Sequence, residues 1–189
     1  MLCVIFFRLI EADYKIRAGL NVIATCSATS IDKVRALGAS EALNYKDPSC
    51  GQKIRDFTND SLTKIFDTIS EGSSVAICSA AMGSSGGLVS TTLPWPEERE
   101  RKEDIQASML FTLGIFGVPT GYGEQIIPPN FDDYEYAKKL YAAAEGWLQQ
   151  GKLKVHPPKV CKPGLEGVFD AIELAKAGKG SGVKLVVKL

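Results

Sequence analysis

Histidine is almost absent from these 189 residues, His156 being the only one. A His-rich metal centre or a histidine-based nucleophile triad would have to be assembled without its usual parts. The five cysteines (Cys3, Cys26, Cys50, Cys78 and Cys161) are scattered, odd in number and contain no CxxC pair. This argues against a disulfide framework and a structural zinc site, so no metal is assigned and reduced thiols in a cytoplasmic protein are expected. Net charge is missing too, because 22 Lys and Arg balance 22 Asp and Glu. No long-range field draws the chain to nucleic acid or to an anionic membrane surface. The opening run MLCVIFF, before Arg8, is too short to span a membrane and lacks a basic flank or a small-residue cleavage signal. It reads as a buried strand or a false start.

What is present is an ordinary globular composition, 45% hydrophobic and 23% charged, with length for one good core and an appendage. Past residue 20, β-rich runs alternate with amphipathic stretches, which predicts a parallel sheet covered by helices. Strands are expected at Asn21 to Cys26, Ala42 to Asn44, Lys64 to Ile69 and Gly87 to Leu93. Short helices are expected at Asp32 to Leu37, Gln52 to Thr58 and Ser73 to Ala81, with Gly38 and Gly86-Gly87 where the chain stops and reverses. Trp95 to Asp104 reads as an exposed connection and Met109 to Phe116 as one more buried strand. Ala137, Leu140, Tyr141, Ala144, Trp147 and Leu148 recur at helical spacing between Asp132 and Gln150, with Gly151 as the stop. An extended run (Lys154 to Val160), a helix (Leu165 to Ala177) and a terminal strand (Val183 to Leu189) complete the chain.

A doubly wound sheet binds a dinucleotide at the carboxyl ends of its strands, with the pyrophosphate on a G-x-G-x-x-G turn opening the first helix. In that position stand Cys3 to Phe7 and Arg8 to Ala18, and the first glycine is Gly19, at the far end of the expected helix. Gly83-Ser84-Ser85-Gly86-Gly87 is no substitute, since it follows a helix and precedes a strand, the reverse of the order required; it reads as a turn. After the Asn21 to Cys26 strand an NAD site would place Asp or Glu, whereas this chain offers Ser27, Thr29 and Ser30, with Lys33 one turn on. Hydroxyls and a cation suit the 2′-phosphate of NADPH. Equally, Thr29 or Ser30 could cap the next helix. Tyr45 could meet the adenine or the phosphate, or be ordinary half-buried packing. Asp47, Asp67 and Glu71 have no partner at a recognisable spacing and read as surface or capping residues, and His156 reads as structural.

The ordered series NVIATCSATSIDKVRALGASEALNYKDP, IFDTIS, GGLVSTTLP, GKLKVHPPKV and GLEGVFDAIELAKAGKGSGVKLVVKL resembles the zinc-independent medium-chain dehydrogenase/reductases of fungi. Within them it looks most like the trans-acting enoyl reductases of polyketide and toxin clusters, in register from about residue 19 to residue 189. The resemblance implies an α/β fold, a partial Rossmann-type doubly wound parallel sheet with a C-terminal segment belonging to an otherwise missing GroES-like domain. The chain is accordingly expected to be truncated at its N-terminus. Residues 1–125 would be the NADPH-binding part without its glycine loop, and residues 126–189 the return segment of the catalytic domain.

By the same resemblance, Ser27, Ala28, Thr29, Ser30 and Tyr45 surround the 2′-phosphate and adenine, Thr92 and Leu93 lie near the nicotinamide, and Ser181 and Gly182 lie at the cleft between domains. No side chain is assigned a proton-transfer role. The implied activity is NADPH-dependent reduction of an α,β-unsaturated thioester, with a small-molecule or carrier-bound enoyl substrate and a polyketide synthase as partner. Intact relatives are expected to be monomers. A quinone or enone reductase, and a non-catalytic remnant that self-associates through an uncovered apolar face, remain as alternatives.

Overall fold

The computed structural model describes residues 2–5, 20–97, 101, 103–110, 112–153, 157–180 and 182–189. The helix expected at Arg8 to Ala18, His156 and Ser181 lie outside the described residues. Six parallel strands, β1 (Leu2–Ile5), β2 (Val22–Cys26), β3 (Glu41–Asn44), β4 (Lys64–Asp67), β5 (Gly87–Thr91) and β6 (Ile105–Met109), form one sheet in the order 3-2-1-4-5-6. This is the strand order of a dinucleotide-binding fold. The opening apolar run therefore supplies a strand, and a central one: Cys3 pairs with Ile23 of β2 and with Ile65 of β4.

Helices cover both faces. Val34 of α1 (Ile31–Ala36) packs with Ala24, Cys26 and Ala42, while Ile54 of α2 (Cys50–Phe57) and Ile77 and Cys78 of α3 (Ser73–Ala81) pack with Ile23, Ile65, Val89 and Ile105. Every residue of β2 is buried, which is why VIATC shows no polar alternation. The α2 and α3 helices touch closely, since a Cβ on Gly51 would fall 2.6 Å from the Ala80 Cβ.

The run from Gly83 to Gly87 is a helix-to-strand turn, as its order implies. Gly86 has φ +73, and a Cβ there would overlap the Asp104 carbonyl; one on Gly87 would overlap the Thr63 carbonyl. Small residues are needed here because three backbone segments meet. Two described residues of the expected connection, Trp95 and Arg101, are less exposed than its composition suggests. Trp95 is buried, and the Arg101 guanidinium donates to the carbonyls of Ser79 (3.1 Å), Met82 (2.7 Å) and Gly83 (2.8 Å). Arg55 reaches the same Met82 carbonyl at 3.1 Å, so two cations meet the negative end of α3.

The strand expected at Met109 to Phe116 ends where it was expected to begin. β6 occupies Ile105–Met109, and Thr112–Phe116 forms a 3-10 turn. The register Gly87↔Ile105 through Thr91↔Met109 starts at the glycine turn, so the apolar run overshoots the sheet. A short hairpin follows, β7 (Thr120–Tyr122) with β8 (Gln125–Ile127), and then α4 (Phe131–Gln149). Asn130 caps α4, its side-chain oxygen accepting from the amides of Asp132 (3.1 Å) and Asp133 (3.2 Å). Only part of the expected apolar stripe of α4 is covered: Ala137 and Ala144 are buried, whereas Tyr141 and Leu148 are exposed. Finally β9 (Pro158–Val160) pairs in parallel with β10 (Lys184–Val186) across the intervening α5 (Gly164–Lys176). Leu165, Phe169 and Ile172 form an exposed ridge along α5.

Two measurements check this arrangement. Gly86→Ala combines a positive φ with a backbone clash and should cost about 2–3 kcal/mol in urea unfolding. Gly123→Ala, whose Cβ would meet nothing within 4 Å, should cost about 1 kcal/mol for the φ of +59 alone. Burial pushes the Cys50 thiol up to about 11, aided by the Asp47 carboxylate, and burial also raises Cys26. Alkylation of the native protein at pH 8 should therefore mark Cys161, which is half-exposed, well before Cys26, Cys50 or Cys78.

Candidate cofactor site

Parallel strands end on one edge of a sheet, and this collects the residues singled out in the sequence. Ser27 to Ser30 follow β2, Tyr45 follows β3, and Thr92 and Leu93 follow β5. With β1 and β4 between β2 and β5, the two groups stand about 14 Å apart across three strand spacings. Such a span must be bridged by an extended ligand, and the crevice between β1 and β4 is the point where the strand order reverses.

At one end the Ser27 hydroxyl lies 3.1 Å from both the Thr29 and Ser30 hydroxyls. Neither Ser27 nor Ser30 makes a side-chain capping bond, so the capping role open to Ser30 is not taken up. Ala28 sits in the same single 3-10 turn, exposed like Thr29. The Tyr45 amide donates to the Cys26 carbonyl at 3.1 Å, which ties the two strand ends together. Its half-buried ring packs against the core and carries the Lys46 ammonium 6.0 Å from its centroid. Lys46 is a cation of the site that the sequence did not single out; its adjacency to Tyr45 in YKDP was the available signal. Tyr45 and Lys46 also line a groove of about 560 Å³ with Pro48, Gly51, Ala76 and Ala80. Asp47, next in the turn, is committed elsewhere: it pairs with Lys53 at 2.5 Å and accepts from the Ser49 hydroxyl (2.7 Å) and amide (2.9 Å). The Lys53 ammonium and then the Ser49 hydroxyl hold its carboxyl well below the usual carboxylate range.

At the other end Thr92 is fastened twice. Its amide donates to the Ser70 hydroxyl (2.9 Å) and its own hydroxyl donates to the Thr68 carbonyl (3.0 Å). Leu93, Pro94, Met109, Leu110 and Leu113 line an apolar notch of about 320 Å³ beside it. Gly182 lies next to β10 with φ +71, outside the edge formed by the six-stranded sheet. Of its two readings, surface or capping, Asp67 takes the capping one. It is fully buried at the end of β4, and its carboxylate accepts from the amides of Ile69 and Ser70 and from the Ser74 hydroxyl. Glu71 is exposed, and its backbone carbonyl accepts from Ser74.

The ends of β2 and β3 thus offer three hydroxyls, the Lys46 ammonium and an aromatic ring, with the exposed Asp32 carboxylate in the first turn of α1. The position of the pyrophosphate loop falls within residues 6–19, outside the described residues. Among the described residues, no group of three His, Cys, Asp or Glu side chains could hold a metal ion. Nor is any described helix long and apolar enough to cross a membrane.

The architecture is that of the medium-chain enoyl and quinone reductases. The JamJ enoyl reductase superposes with a TM-score of 0.71 at 16% identity, covering 98% of this chain and 54% of that structure. A quinone oxidoreductase of Pseudomonas syringae gives 0.69 at 14% identity, covering 100% and 56%. In sequence, the chain is 37% identical over 180 residues to the trans-enoyl reductase ACTTS2 of Alternaria alternata, covering 95% of this chain and 51% of that protein. Further fungal trans-enoyl reductases match at 33% to 37% identity. No protein-family profile matches. Over the residues it contains, the chain is similar in sequence to the fungal trans-enoyl reductases, and its fold is that of medium-chain reductases. It spans about half the length of most of the curated relatives it matches.

The ion pair that fastens the Tyr45 turn makes a pH prediction. A carboxyl depressed in the folded state stabilises the fold above its unfolded pKa of about 4 and loses that contribution as pH falls through the folded value. Asp47→Asn should lower the melting temperature at pH 7, and its difference from the unsubstituted protein should narrow progressively below about pH 4.

Proposed function

We propose that the chain is the cofactor-binding part of an NADPH-dependent enoyl reductase, acting in trans on an α,β-unsaturated polyketide thioester carried by a polyketide synthase. The observation that carries this reading is the match to trans-enoyl reductases along nearly the whole chain. Residues 1–125 form the NADPH-binding part, and residues 126–189 the segment that returns to a GroES-like substrate domain. The hydroxyls of Ser27, Thr29 and Ser30, with Lys46, take the 2′-phosphate, and Ala28 leaves room beside them. Tyr45 meets the adenine. Leu93 borders the nicotinamide through the apolar notch, and Thr92, its side chain committed to the neighbouring loop, contributes through its backbone. Ser181 and Gly182 belong to the cleft between the two parts.

The dinucleotide supplies the hydride when bound. The chain has to orient its ring, keep water from it and favour the developing enolate, which asks for no acid–base pair. This agrees with the lack of one among the described residues at the carboxyl edge. A second reading has its own support: the exposed ridge of Leu165, Phe169 and Ile172 fits a shortened protein that self-associates.

Fluorescence titration tests the reading. NADPH should bind more tightly than NADH, and the double substitution Ser27→Ala, Ser30→Ala should weaken NADPH about tenfold while leaving NADH unchanged, as expected for one or two lost hydrogen bonds to a charged group. Consumption of NADPH with an enoyl thioester but not with a quinone selects the enoyl reductase. Equal affinity for both dinucleotides removes the 2′-phosphate assignment. A concentration-dependent oligomer that binds neither selects the second reading.

A further inference from the structure

The least ordinary backbone on the carboxyl edge is at Ser70, a non-glycine residue with φ +61 that is almost completely buried. Such a conformation costs about 1 kcal/mol or more and persists only where its surroundings impose it. Here Asp67 imposes it. One carboxylate oxygen accepts from the Ile69 amide (3.0 Å) and the Ser70 amide (2.9 Å), and the other accepts from the Ser74 hydroxyl (2.8 Å) and the Cys78 thiol (3.6 Å). The Ser70 hydroxyl then donates to the Asp67 carbonyl (2.9 Å), which leaves its oxygen facing the Thr92 amide that donates to it. Thr92 closes the circuit through its hydroxyl on the Thr68 carbonyl. The ends of β4 and β5, already paired in the sheet at Asp67↔Thr91, are thereby fastened again beyond the last ladder pair.

The place of this circuit gives it meaning. In register, Asp67 stands beside Ile5 of β1, so it lies on the crevice where the strand order reverses. A dinucleotide lying over that crevice reaches β5 only after passing the loop of residues 68–72.

We propose that Asp67 and Ser70 are positioning residues that lock the loop after β4 to Thr92, and so set where the nicotinamide half of the cofactor rests. This rests on the NADPH reading above. Neither residue is assigned contact with the reacting atoms. Their effect is transmitted through the Thr92 backbone, and the adenosine end, two strands away in the sheet at β2, should not feel it.

The experiment compares Ser70→Ala, Asp67→Asn and Asp67→Ala with the unsubstituted chain, using NADPH and the nicotinamide-free probe 2′,5′-ADP. In Ser70→Ala, hydrogen exchange of the Thr92 amide should quicken at least tenfold. NADPH affinity should fall about tenfold, with 2′,5′-ADP affinity unchanged, because one buried hydrogen bond is lost on the nicotinamide side only. Asp67→Asn keeps an oxygen for the two amides and should be closer to the unsubstituted protein than Asp67→Ala. Should Asp67→Ala fail to fold, Ser70→Ala and Asp67→Asn carry the test. Equal losses for both probes, or no loss for NADPH, would overturn the positioning role. If the unsubstituted protein binds 2′,5′-ADP and NADPH no better than NADH, the NADPH reading fails first, and the positioning role that rests on it falls with it.

Discussion

Everything on the carboxyl edge depends on β1 lying between β2 and β4. The pair β3–β2 and the trio β4–β5–β6 share no hydrogen-bonded edge except through Leu2–Ile5, which pairs in parallel with both. With that strand in place, the ends of β2 and β4 stand about 10 Å apart, two strand spacings, and face one crevice. Withdraw it, and the hydroxyl cluster after β2 and the Asp67 loop after β4 belong to separate sheets. A four-residue element thus determines whether the two ends of the site share a ligand.

Much of this was legible residue by residue. The α3 helix occupies the expected Ser73–Ala81, and the glycine turn behaves as its position between helix and strand requires. Ser27 to Ser30, Tyr45, Thr92 and Leu93 fall at strand ends because parallel strands bring every such end to one edge. Other features were hidden for physical reasons. The polar residues Gln106 and Ser108 leave β6 without an apolar signature, and the sequence assigned residues 105–108 to no element; it is an edge strand whose exposed positions tolerate them. The apolar run after it drew the eye instead.

Asp67 was illegible for a different reason. A buried carboxylate needs several donors, and those it has come from residues two, three, seven and eleven positions further on. No single spacing advertises such a set; it exists only once the loop has closed and α3 has turned back over β4. Ser70 is hidden likewise, since its conformation is a product of that closure. Conversely, the α4 periodicity was read correctly as a helix, yet it did not say how much of its apolar stripe the fold would cover.

Among the described residues no cation takes part in the Asp67 circuit, which has a consequence for how the molecule responds to its solvent. The pairs Arg35–Glu41 and Lys53–Asp47 sit near the surface, where ions at about 0.15 M already screen charges beyond roughly 8 Å and higher salt screens closer ones. The circuit at the end of β4 is built from amides, hydroxyls and a thiol around one buried carboxylate, and dissolved ions have no access to it. Raising ionic strength should therefore slacken the turns around β3 while the loop after β4 keeps its shape. The turns flanking β3 are salt-sensitive and the loop after β4 is not.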